Sequence, residues 1–173
     1  VILVAANNLK NEFKGWAQAR EAINGLKDKG VYVLLAGTES KEAAEELVAS
    51  ASSVGYLETE KQMAQVYQAA DIFLITSKVE TFGLAAAEAA ACGALVIGFE
   101  AGGLGQTIRR CHGLVAADDD VREIAEFLSQ SISGGDAFRH KKRRNHSDIL
   151  AYFGQKTHTE KCLDVYEQSI NSN

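Results

Sequence analysis

Proline is absent from this chain of 173 residues, where ordinary usage of about 5% would place roughly eight or nine. Cysteine is scarce. Cys92, Cys111 and Cys162 are odd in number, far apart and without a Cys-x-x-Cys or Cys/His spacing, which argues against a disulfide framework or structural zinc and for a reducing cytoplasm. Positive charge is in deficit, with a formal net charge of −5 and a pI near 5.4, so the whole-molecule field gives a nucleic acid no reason to bind. No long apolar run survives: the most apolar stretch, residues 84–99, is cut by Glu88, Gly93 and Gly98, which excludes it as a membrane span. The chain also lacks an initiator Met and a basic leader region; it starts at Val1 within an apolar run and reads as the interior of a larger protein. With 46% hydrophobic and 24% charged residues, disordered, collagen-like and disulfide-scaffold classes are excluded.

What remains is an alternation of short apolar runs with longer segments of helical period. Strands are predicted at residues 1–6, 31–37, 53–56, 72–76 and 95–98, with a weak sixth at 113–115. Helices are predicted after Gly15 with Trp16, Ala19, Ile23 and Leu26 inward, over 42–50, through Met63, Val66, Tyr67 and Ala70, over 83–91, and through Val121, Ile124, Ala125, Leu128 and Ile132. Continuous apolar strands joined by helices need right-handed crossovers, which gives an α/β, Rossmann-like doubly wound parallel sheet of about six strands with helices on both faces. Residues 1–135 form that domain, and 136–173 read as C-terminal helices continuing it.

In such sheets ligands bind beyond the carboxyl ends of the strands. Two loops there carry chemistry. Glu80-Thr81-Phe82-Gly83-Leu84 runs into an Ala-rich helix interrupted by Glu88. A helix apolar all round is expected to be buried, and a carboxylate within it needs partners. Glu88 leans back over the first turn toward Leu84 and the loop of Glu80, where the amides of Phe82, Gly83 and Leu84 form an anion site. The residues alone leave two readings open: a ligand bearing hydroxyls and phosphate, or a Glu88 bonded to a neighbouring loop beside a solvated Glu80. The other loop, 7–15, ends Lys14-Gly15-Trp16. Its lysine can reach a diphosphate, and its glycine permits close approach of the backbone.

The succession Asn8-Leu9 to Lys14-Gly15, Val54-Gly55-Tyr56-Leu57, Ala69-Ala70-Asp71-Ile72, Ser77-x-x-Glu80-Thr81-Phe82-Gly83-Leu84-x-x-x-Glu88 and Gly102-Gly103 resembles the C-terminal, donor-binding domain of GT-B glycosyltransferases of family 4. The resemblance runs from Val1 to about Ile132. It implies half of a retaining glycosyltransferase, a hexosyltransferase that moves a sugar from a nucleoside diphosphate to an acceptor hydroxyl and is inactive as this domain alone. Glu80 and Lys14 would be catalytic, the one on the transferred sugar and the other on the leaving diphosphate. Asn8, Tyr56, Leu57, Thr81, Phe82, Gly83, Leu84 and Glu88 would bind the donor, with Glu88 on the ribose. The resemblance implies no metal and no cofactor, a UDP- or GDP-sugar as substrate, a sugar or lipid-linked acceptor, and an N-terminal GT-B domain, absent from this chain, as partner. It places the protein in the cytoplasm, at the inner face of the membrane where the acceptor is a lipid.

The chain departs from the family pattern at several points. Asn8 stands where the family has an arginine, with Lys10 as a substitute cation; Thr76 and Leu95 replace prolines, and Gln106 replaces a glutamate. These changes leave a second reading, a degenerate non-catalytic nucleotide-sugar-binding module or a glycosyltransferase partner subunit. A third, another nucleotide-sugar Rossmann enzyme such as an epimerase, lacks its Gly-x-Gly-x-x-Gly after the first strand. The basic run Arg139, Lys141, Lys142, Arg143 and Arg144 reads as a solvated helix face, with contact to nucleic acid or to an anionic membrane surface as the alternative. His112, His140, His146 and His158 lack ligand spacing, and Asp118-Asp119-Asp120 reads as a turn and helix cap.

Overall fold

The computed structural model describes residues 1–26, 29–134, 149 and 151–154. Strands β1 (Ile2–Asn8), β2 (Tyr32–Thr38), β3 (Ser50–Gly55), β4 (Ile72–Ile75), β5 (Leu95–Phe99) and β6 (Leu114–Ala116) alternate with helices α1 (Trp16–Asn24), α2 (Ser40–Glu45), α3 (Glu60–Ala69), α4 (Leu84–Ala91), α5 (Leu104–Arg110) and α6 (Val121–Ser133). The strands form one parallel sheet in the order β3-β2-β1-β4-β5-β6. The expected Rossmann-like sheet is what the chain forms. The basic run, His140, His146, His158 and Cys162 lie outside the described residues.

The middle of the sheet is buried because its inner strands are apolar. β4 is Ile72-Phe73-Leu74-Ile75, buried on both faces, and Leu3, Val33, Leu35 and Ile97 are fully enclosed. Helices cover both sides through the predicted stripes: Trp16, Ala19 and Ile23 on α1, Tyr67 on α3, and Ile124 and Leu128 on α6 are all buried. Asp120 caps α6 by accepting the Glu123 amide at 3.0 Å, as the aspartate turn predicts. Beyond α6, Ile149 is buried and Phe153 meets Phe82 edge-on at 5.8 Å, while Arg110 lies over the ring of Tyr152. Among the described residues no helix is long and apolar enough to cross a membrane.

Three expectations need correction. The helix expected over 42–50 ends at Glu45, and β3 begins at Ser50, because the small residues Ser50, Ala51, Ser52 and Ser53 pair with β2 as an edge strand that side-chain type does not announce. Helix α5 was not foreseen; its seven residues, after two glycines, are too few to display a period. Helix α4 is not buried all round. Ala86, Ala87, Ala89 and Ala90 are covered, but Leu84 and Glu88, one turn apart, are exposed. The alanines bring the helix close to its neighbours on the covered side and leave an outer stripe on which a carboxylate costs nothing to hold.

Candidate functional site

Sheet order builds the site. Chain direction across the sheet reverses between β1 and β4, since β1, β2 and β3 proceed one way and β4, β5 and β6 the other. The loops that leave β1 and β4 therefore diverge onto opposite faces and open a crevice at the carboxyl edge. One carries Lys14 and the other Glu80.

The loop after β1 is set by its own side chains. Asn8 Oδ1 accepts the amides of Lys10 at 2.9 Å and Asn11 at 3.1 Å, and Asn11 Oδ1 accepts the amide of Phe13 at 2.9 Å, two turns of the kind asparagine favours. A 3-10 turn, Glu12–Lys14, follows and delivers Lys14 to the crevice. Gly15 is in the left-handed region, φ 68°, and a Cβ there would overlap the carbonyl oxygen of Thr76. Its close approach is to the β4 loop. Thr76, where the family pattern has proline, is buried and donates its hydroxyl to the Gly15 carbonyl at 2.9 Å; the Lys78 amide donates to the Phe13 carbonyl at 2.9 Å. The two loops are thus joined directly.

On its other side the Glu80 loop rests on the start of α5. The Gly103 amide donates to the Glu80 carbonyl at 3.1 Å and the Thr107 hydroxyl to the Phe82 carbonyl at 2.6 Å. Cβ atoms at Gly102 and Gly103 would meet the carbonyls of Glu80 and Thr81, so this packing requires the Gly-Gly pair. The carbonyls of Glu80 and Phe82 are engaged in this way. The amides of Phe82, Gly83 and Leu84 make no hydrogen bond among the described residues, and they mark the N-terminus of α4, where the helix dipole favours an anion. Gln106 is exposed on α5, and these contacts do not involve it.

Lys14 Nζ stands 3.4 Å from Glu80 Oε2, both side chains half-buried. The two residues assigned to catalysis are brought together. Thr81 and Phe82 are exposed beside them. Glu88 belongs to an adjoining cleft of about 220 Å³ lined by Ala5, Ala36, Tyr56, Leu57, Met63 and Tyr67 among others, so three of the residues expected to bind the donor, Tyr56, Leu57 and Glu88, gather in one place. The side-chain oxygen of Asn8 is engaged by its own loop. Lys10, the substitute cation, turns away to pair with Glu46 at 2.8 Å.

Glu46, just beyond α2, is a group the sequence did not single out. It accepts Lys10 Nζ, Trp16 Nε1 at 2.9 Å and Arg20 at 2.7 Å. These bonds, that to Lys10 foremost, hold its carboxyl at about 2, against an ordinary 4.5. A glutamate in a polar helix carries no sequence signal of such a role. The helical stripe puts Tyr67 in the core, and its hydroxyl also reaches the cleft.

A model of the family described as Glycosyl transferases group 1 matches residues 1–133. A D-inositol 3-phosphate glycosyltransferase of Actinosynnema mirum is 30% identical over 169 residues, covering 84% of this chain and 39% of the relative. A glycosyltransferase of Rickettsia africae superposes with a TM-score of 0.80 at 22% identity, over 99% of this chain and 48% of that one. Anabaena HepE, solved in complex with UDP-glucose, superposes with a TM-score of 0.75 at 18% identity, over 96% and 48%. The chain spans less than half the length of the curated relatives it matches. With the family model covering most of the sheet and its loops, and the fold shared with these structures, the chain belongs to the group 1 glycosyltransferases.

Proposed function

We propose that this chain is the donor-binding half of a retaining glycosyltransferase, which moves a sugar from a nucleoside diphosphate sugar, of uridine or guanosine, to an acceptor hydroxyl. The observation that carries the reading is the row of groups along the carboxyl edge: the Glu88 cleft, then the amides of Phe82, Gly83 and Leu84, without a hydrogen-bond partner among the described residues, then Lys14 facing Glu80. A nucleoside diphosphate sugar has the same sequence of needs. Its ribose hydroxyls donate to a carboxylate, its diphosphate accepts from amides and a cation, and its sugar hydroxyls donate to a second carboxylate.

In the reaction the bond from the anomeric carbon to the diphosphate oxygen breaks and one to the acceptor oxygen forms, while the acceptor proton leaves with the diphosphate. Lys14 and the α4 amides stabilise the charge that collects on the leaving group. Glu80 holds the transferred sugar. The acceptor, a sugar or a lipid-linked sugar, and the groups that orient it belong to the remainder of a longer GT-B enzyme, so this chain alone binds donor and turns it over poorly.

A second reading, a binding module without catalysis, is favoured by the engagement of Lys10 with Glu46, which leaves Lys14 to face the diphosphate without that neighbour. Calorimetric titration with UDP-, GDP- and ADP-sugars, paired with an assay of donor turnover in the full-length protein, separates the two. Binding together with turnover supports the transferase; binding without turnover supports the module. Absence of binding to all three donors contradicts both.

A further inference from the structure

Tyr67 stands at the inner end of α3, with its hydroxyl 3.4 Å from Glu88 Oε2. Only 3% of the residue is exposed, and its ring meets Phe73 of β4 edge-on with centroids 5.4 Å apart. It also forms part of the wall of the cleft that contains Tyr56 and Glu88. Ring packing fixes where the hydroxyl sits, and a buried phenol needs an acceptor at that point. Burial, and after it the charge of Glu88, pushes the phenol pKa up, so the hydroxyl keeps its proton and donates.

Glu88 has the opposite character. It projects from the exposed stripe of α4, where a long side chain samples many rotamers and loses that freedom only when a partner holds it. A bond to Oε2 restricts the carboxylate at the cleft wall and leaves Oε1, with further lone pairs on Oε2, to accept from a ligand.

We propose that Tyr67 is a positioning residue: its hydroxyl holds the Glu88 carboxylate toward the ribose hydroxyls of a bound nucleotide and thereby sets a preference for ribose over deoxyribose. The proposal rests on the donor-site reading given above. It gives the buried tyrosine a part in specificity, exercised through Glu88 and not by contact with the reacting atoms.

The test is calorimetry on the full chain with UDP and 2′,3′-dideoxy-UDP, or the guanosine pair where GDP binds more tightly, for wild type, Glu88→Ala and Tyr67→Phe. Wild type is expected to prefer the ribonucleotide about tenfold or more, as befits a hydrogen bond to a charged group, and Glu88→Ala to abolish that preference. Tyr67→Phe keeps the ring and its packing; it is expected to cut the preference about three- to tenfold while leaving dideoxynucleotide affinity unchanged. Thermal unfolding of each variant sets a temperature at which all are folded, so lost stability does not enter the ratio. A Tyr67→Phe variant with the wild-type preference overturns the proposal and leaves the site reading intact. A wild type without ribose preference, or Glu88→Ala that retains it, overturns the assignment of Glu88 itself.

Discussion

At the scale of single residues the site is a matter of which charge faces which. Lys14 and Glu80 face each other at 3.4 Å, and an incompletely buried pair at that distance contributes at most about 1 kcal/mol. A diphosphate can therefore displace Glu80 from Lys14 at small cost. Lys14→Ala is expected to weaken UDP or GDP binding by about 1.5–3 kcal/mol, with a smaller effect at high salt, in titrations at two ionic strengths. Glu80→Ala is expected to leave the bare nucleoside diphosphate unchanged or slightly tighter and to weaken only the sugar-bearing donor. Equal weakening of both ligands would contradict its place at the sugar. Glu46 makes a separate prediction, because its carboxyl is held at about 2 against 4.5. A depressed carboxyl pKa adds stability that is fully present above the unfolded value and is lost as pH falls through the folded one. Urea denaturation between pH 4.5 and 2 is expected to show a steeper loss of stability for wild type than for Glu46→Gln, and parallel profiles would dismiss the Lys10, Trp16 and Arg20 hub.

At the scale of elements, the loops are held by backbone approaches that only glycine permits. Gly15→Ala meets both a left-handed φ and the carbonyl of Thr76, whereas Gly55→Ala at φ 71° meets open space. The second is expected to cost about 1–2 kcal/mol from backbone conformation. The first should cost more, and in addition should lower donor affinity by moving Thr76 and the Glu80 loop; equal costs in urea denaturation would show that the loop contact is unimportant. These elements also show what can be read before a structure exists. Strands such as β4, apolar at every position, announce themselves because burial on both faces admits no polar residue. α3 and α6 do so through their stripes. The serine-rich start of β3 and all of α5 escape, since an edge strand of small residues and a seven-residue helix after Gly-Gly owe their conformation to neighbours already in place. The motif residues Glu80 and Glu88 are legible as types at a spacing. The exposure of Glu88 is not, because Ala-rich composition speaks of close approach on one side and says nothing of the other. The pairing of Lys10 is hidden for a similar reason: its partner, Glu46, lies on a different element and becomes a neighbour only in the fold.

At the scale of the whole molecule, the order β3-β2-β1-β4-β5-β6 decides what the chain can bind. It sets the loop of β1 beside that of β4, places β2 and the segment after β3 next to the Glu88 cleft, and so gathers the groups of the proposed donor site along one edge. The acidic hollow near Gln18, Asp119 and Arg122 lies apart from these loops and offers no comparable row. A crystal structure of the full chain with an intact UDP- or GDP-sugar tests this placement most directly. The account predicts ribose at Glu88, diphosphate between Lys14 and the amides of Phe82, Gly83 and Leu84, and sugar hydroxyls at Glu80. A donor seated in the hollow by Asp119, or lying along the edge with its sugar at Glu88 and its base at Glu80, would contradict it.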